Sequence, residues 1–89
     1  ELAFLCMDME YYGRTDLSAA FWEAYCRQWQ VAPNPEDLLL FEYFKAYRAN
    51  VRLKVTLLQW TQHPQDAQLA AMAGKYWDLL MGYILNLGQ

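Results

Sequence analysis

Four charged residues of this 89-residue chain lie inside otherwise apolar segments, where charges are unusual. Asp8 and Glu10 belong to the first apolar segment, and Arg48 and Arg52 belong to a later one. A buried charge is strongly unfavourable unless an opposite charge and hydrogen bonds compensate it. The simplest solution is that Asp8 meets Arg48, with Glu10 and Arg52 as alternative members of the pair.

This pairing has two interpretations. In the functional one, a carboxylate and a guanidinium line a cleft that grips a polar substrate. In the structural one, which we favour, an internal ion pair fixes how the first helix docks on the third. Asp8, Glu10, Arg48 and Arg52 are therefore candidate substrate-side or internal ion-pair residues.

The sequence gives little support for a catalytic site or a metal site. The one histidine, His63, is followed by Pro64 and is expected in an exposed turn. Cys6 and Cys26 lack the spacing of a metal site and are expected to be buried free thiols, as in a cytoplasmic protein. There is no glycine-rich phosphate loop and no Ser/His/Asp set. We therefore predict no catalytic residue and no metal ligand in this chain.

The composition favours a partner surface. Apolar residues make up 56% and charged residues 19% of the chain, against typical values of about 45–50% and 25%. The formal net charge is −3 without a basic block, which argues against nucleic-acid binding. No apolar run approaches the roughly 20 residues that span a membrane, so no membrane partner is expected.

Hydrophobic periodicity predicts an all-α fold of about four helices in a largely antiparallel bundle. The predicted helices cover approximately residues 2–12, 16–30, 35–62 and 65–86, within a single helical (sub)domain spanning residues 1–89. Gly13 suits the left-handed position that ends the first helix. Thr15 or Asp16 is expected to cap the second helix, Asn34 the third, and the pair His63–Pro64 to start the fourth.

Apolar residues spaced three and four apart define one stripe along each predicted helix, and this pattern is typical of a core-facing side. The first helix is apolar almost all round, which is typical of burial on several sides. The stripes are Leu2, Leu5, Met9 and Tyr12; Ala19, Trp22, Tyr25 and Trp29; Phe41, Phe44, Arg48, Val51, Val55 and Leu58; and Leu69, Met72, Tyr76, Leu80, Tyr83 and Leu87.

Two segments carry a resemblance to a known family. Phe4–Arg14 (FLCMDMEYYGR) and Phe44–Val55 (FKAYRANVRLKV) resemble part of the helical lobe of aminoglycoside-phosphotransferase-like kinases. The resemblance is strongest to an uncharacterised branch, in which the kinase-like part is often joined to a second ATP-binding domain. It covers roughly residues 1 to 60.

The resemblance also shows what this chain lacks. The family's catalytic loop contains His-Gly-Asp with a later Asn, followed by an Asp that holds magnesium, and none of these occurs here. The chain has no initiator Met and begins inside an apolar pattern without a capping residue. We therefore expect a fragment of a larger kinase-like domain, taken from just after its catalytic residues.

The expected function follows from that resemblance. It implies the helical substrate-side subdomain of an ATP-dependent small-molecule phosphotransferase, with ATP and magnesium bound by the intact parent. This chain alone is expected to be inactive and to bind no cofactor. Its partner would be the remainder of the parent domain or a second copy, in the cytoplasm. The alternative is a stand-alone helical protein-interaction or dimerisation module without enzymatic activity.

Overall fold

The computed structural model of the protein describes residues 2–29 and 34–88. They form four α-helices: α1 (Leu2–Tyr11), α2 (Thr15–Gln28), α3 (Pro35–Gln62) and α4 (Ala67–Leu87). These residues include no strand, so the predicted all-α class is confirmed. The molecule is elongated, with extents of 48 × 24 × 17 Å, because α3 alone spans about 42 Å at 1.5 Å per residue.

Gly13 and Asn34 lie at helix boundaries, as predicted. Gly13 follows α1 with a φ of 76°, a conformation that side chains with a Cβ rarely adopt. Asn34 caps α3, and its side-chain oxygen accepts a hydrogen bond from the Asp37 backbone N–H at 2.8 Å. Pro35 then occupies the first helical position, where its missing N–H costs nothing.

Two other predicted helix starts are wrong. Thr15 is already helical, and Arg14 precedes α2 without any side-chain cap. The fourth helix begins at Ala67 because the Asp66 carboxylate accepts hydrogen bonds from the backbone N–H groups of Gln68 and Leu69. A carboxylate at this position satisfies two otherwise free donors, which Pro64 cannot do. The second helix ends at Gln28, with Trp29 at its C-cap, so its predicted end near Gln30 is about two residues too late.

The helices form two antiparallel hairpins. Along α3 and α4, Glu42 lies opposite Asn86 and Arg52 lies opposite Tyr76. In the other hairpin, Cys6 of α1 lies against the start of α2, and α1 also crosses α3. α1 contacts all three other helices, and the rings of Trp22 on α2 and Phe41 on α3 lie 4.3 Å apart, so both contacts join the two hairpins.

The core lies where α1, α3 and α4 meet. Small residues of α3 allow both neighbours to approach closely, and tyrosines of α4 fill the remaining space. The predicted stripe of α4 matches its buried side, on which Tyr76 and Tyr83 are almost completely enclosed. The central cluster comprises Met7, Tyr11, Ala46, Ala49, Leu53, Ala73, Tyr76 and Tyr83.

The stripes predicted for the other helices do not mark their buried sides. On α1 the buried residues are Ala3, Cys6, Met7 and Tyr11, whereas the predicted stripe lies on the opposite face. On α3, Leu53 is buried while Leu58, a member of the predicted stripe, is 65% exposed. On α2 the buried residue is Ser18. Periodicity cannot choose between two sides of a helix that are both apolar, so the neighbouring helices decide.

Candidate functional site

Lys45 lies at the junction of α1, α3 and α4, with a side chain that is only 8% exposed. Its ammonium group is 3.2 Å from the Glu10 carboxylate and 2.8 Å from that of Glu42. The same group lies 4.8 Å from the ring centre of Tyr83 and 5.0 Å from that of Phe41. Two carboxylates and two aromatic faces therefore compensate for the water that this cation has lost.

The Glu10 carboxylate is fully engaged. One oxygen accepts a hydrogen bond from the Tyr83 hydroxyl at 2.6 Å, and the other accepts one from the Ser18 hydroxyl at 2.5 Å. Lys45 donates to both oxygens. A carboxylate with every acceptor site occupied is poorly placed to take a proton from a substrate. Glu10 therefore serves to tie α1 to the start of α2, to α3 and to α4.

Two neighbours of Glu10, the Tyr83 hydroxyl and the Cys6 thiol, keep their protons around neutral pH. Burial raises the pKa of the Tyr83 hydroxyl, and the hydrogen bond to Glu10 raises it further. Burial also raises the pKa of the Cys6 thiol, whose sulfur lies 3.6 Å from the Ser18 carbonyl oxygen. Since the thiolate is the reactive form of cysteine, Cys6 is suited to packing and not to nucleophilic chemistry.

Asp8 and Arg48 lie together, as the sequence suggested. The Arg48 guanidinium donates to the two carboxylate oxygens of Asp8 at 3.3 and 3.4 Å, and it packs 5.6 Å from the ring centre of Phe4. The expected burial is wrong, however, because the side chains of Arg48 and Asp8 are 33% and 42% exposed. The pair lies at the edge of the α1–α3 contact, where a polar ligand or solvent can reach it.

The other two candidate residues do not substitute for this pair. Glu10 binds Lys45, and Arg52 donates to the Tyr76 hydroxyl at 3.4 Å. That hydrogen bond raises the pKa of the Arg52 guanidinium above its ordinary value. Tyr76 in turn stacks on Tyr11, with ring centres 4.2 Å apart. The four candidate residues therefore lie in three places: Glu10 in a buried cluster with Lys45, Asp8 and Arg48 in a partly exposed pair, and Arg52 against Tyr76.

Sequence reasoning missed the residues that complete the buried cluster: Ser18, Glu42, Lys45 and Tyr83. One signal was available, since Glu42 and Lys45 are three residues apart on a helix and can form an ion pair. Lys45 also lies three residues before Arg48, on the same side of the helix, and both residues reach carboxylates of α1. Tyr83 lies 73 positions after Glu10 in the chain, so no local sequence pattern indicates their contact.

Two open grooves flank these clusters. One, of about 420 Å³, lies between the end of α1 and α4 and includes Tyr12, Lys75 and Asp78. The other, of about 520 Å³, is more apolar and lies between α1, α2 and α3 beside Trp22 and Phe44. Within residues 2–29 and 34–88, no group of His, Cys, Asp and Glu side chains is arranged to hold a metal ion. None of the four helices combines the length and apolar character needed to cross a membrane.

Comparison with known proteins finds relatives of uncharacterised function. The chain is 37% identical over 73 residues to an uncharacterised protein of Mycobacterium bovis and, at the same identity, to one of Mycobacterium tuberculosis. The matched region covers 81% of this chain but only 14% of the length of these curated relatives. No protein-family model matches the chain, and no solved structure matches it significantly.

Proposed function

We propose that this chain is the helical substrate-side subdomain of an ATP-dependent small-molecule phosphotransferase. In this proposal, the catalytic loop and the groups that bind ATP and magnesium belong to another part of the intact protein. The chain contributes a rigid helical platform beside the site of phosphoryl transfer to a substrate hydroxyl. By itself it transfers no phosphoryl group.

The observation that carries this proposal is the outward face of α1. Leu5 of α1 and Tyr12, directly after its last residue, are 46% and 75% exposed, and Leu2 and Met9 lie on the same side. The opposite side of α1 is buried in the core. A helix that is apolar on both faces is usually packed on both. The outward face of α1 is therefore suited to dock on the catalytic part of a kinase-like domain.

The contacts between the two resembling segments also support the proposal. Phe4–Arg14 and Phe44–Val55 meet through the Glu10–Lys45 and Asp8–Arg48 ion pairs. The residues that carry the resemblance thus form one packed unit. In the functional interpretation, the partly exposed Asp8 and Arg48 face a polar substrate; in the structural one, they only align α1 on α3.

We place the intact protein in the cytoplasm. ATP is available there, and the two cysteines of the chain are free thiols, as reducing conditions maintain them.

A second candidate function is a helical protein-interaction module without enzymatic activity. It is favoured by large apolar side chains that remain exposed on α2, α3 and α4, including Phe21, Tyr43, Leu58, Trp77 and Leu85. Exposed apolar patches often mark protein-binding surfaces.

The coding sequence upstream of Glu1 provides the first test. The phosphotransferase proposal requires a strand followed by His-Gly-Asp, a later Asn and a magnesium-binding Asp within about 50 residues before Glu1. A start codon directly before Glu1 would contradict it and favour the interaction module.

A transfer assay on the intact protein provides the second test. With magnesium and ATP labelled at the γ-phosphate, we expect labelled phosphate to appear on a hydroxyl compound. Leu5→Glu should reduce this transfer by about tenfold or more, because a charge at a docking face disfavours assembly. Ile84→Glu is the matched control, since Ile84 is 47% exposed but lies on α4. Equal effects of both substitutions would contradict the proposed role of α1.

A further inference from the structure

We draw no further inference here: the strongest candidate, the apolar groove between α1, α2 and α3 that Trp22, Phe41 and Phe44 line, carries none because nothing in the structure shows what covers it.

Discussion

Lys45 and Glu10 are 35 positions apart in the chain, yet their charged groups meet at 3.2 Å with both side chains almost buried. The Glu10 side chain is 11% exposed, little more than that of Lys45. Lys45 also pairs with Glu42, and Glu10 also accepts hydrogen bonds from Ser18 and Tyr83. Both charges are therefore compensated. This contact joins α1 to α3 and is one of the links between the two hairpins.

Replacing Lys45 tests the importance of this contact. Lys45→Met removes the cation and leaves Glu10 and Glu42 close together without it. We expect a loss of about 3–5 kcal/mol in the free energy of unfolding, because a buried charge loses its counter-charge. Urea unfolding followed by circular dichroism measures it. Combining Lys45→Met with Glu10→Gln should recover part of the loss; strictly additive effects would show that the two groups do not interact.

The Asp8–Arg48 pair should contribute much less. Both side chains are one-third or more exposed, so water and salt screen the attraction. A double-mutant cycle with Asp8→Asn and Arg48→Gln should give a coupling of about 0.2–1 kcal/mol, and high salt should reduce it. The exposed Arg14–Asp16 pair is a suitable control for the salt effect. A coupling above about 2 kcal/mol would mean that the pair is buried in solution.

Two leucines of α3 test which side of the helix is buried. Leu53 belongs to the core cluster, whereas Leu58 is largely exposed. Leu53→Ala should cost about 2–5 kcal/mol because it leaves a cavity. Leu58→Ala should change stability by no more than about 0.5 kcal/mol. Urea unfolding should be measured at concentrations where sedimentation shows a monomer. A larger loss for Leu58→Ala than for Leu53→Ala would mean that the buried side of α3 is the one that the hydrophobic periodicity predicted.

The contrast between α3 and α4 shows what the sequence could predict. On α4 the predicted stripe coincides with the buried face, on which Tyr76 and Tyr83 lie, although Trp77 and Leu85 are exposed on other sides of the helix. On α3 apolar residues surround the helix, and only the positions of α1 and α4 select Ala46, Ala49 and Leu53.

The same distinction explains the candidate site. Asp8 and Arg48 were identified because single charges in apolar segments need partners, and that rule requires no knowledge of the fold. Lys45 was missed because it lies off the stripe expected for α3, and its burial depends on where α1 and α4 pack. Tyr83 joins the cluster through a contact between distant parts of the chain, which no local pattern encodes.

The Tyr83 hydroxyl makes the free energy of unfolding depend on pH in the alkaline range. Its pKa in the folded chain is raised above the ordinary value of about 10. Above pH 10 the unfolded chain therefore loses this proton while the folded chain keeps it, so the stabilisation is complete below pH 10 and declines above it. The free energy of unfolding of the wild-type chain should fall more steeply above pH 10 than that of Tyr83→Phe. Equal slopes for both chains would contradict a raised pKa.

At neutral pH, Tyr83→Phe removes the hydroxyl that donates to the Glu10 carboxylate at 2.6 Å. A hydrogen bond to a charged group contributes about 1.5–3 kcal/mol, and we expect a loss of that size in urea unfolding. Tyr43→Phe is the control, because Tyr43 is an exposed tyrosine of α3. A loss no larger than that of the control would mean that water replaces the hydroxyl at Glu10.

The glycines should respond to alanine in opposite directions. Gly13 has a φ of 76°, so Gly13→Ala should destabilise the chain by about 1–2 kcal/mol through strain against the added Cβ. Gly74 and Gly82 lie inside α4, and an added Cβ at either meets no atom within 4 Å. Gly74→Ala and Gly82→Ala should each stabilise the chain by about 0.5–1 kcal/mol, because alanine loses less conformational freedom in a helix. Urea unfolding of the three variants measures all of these changes. Destabilisation by either α4 substitution would reveal a close neighbour at that glycine beyond the single chain.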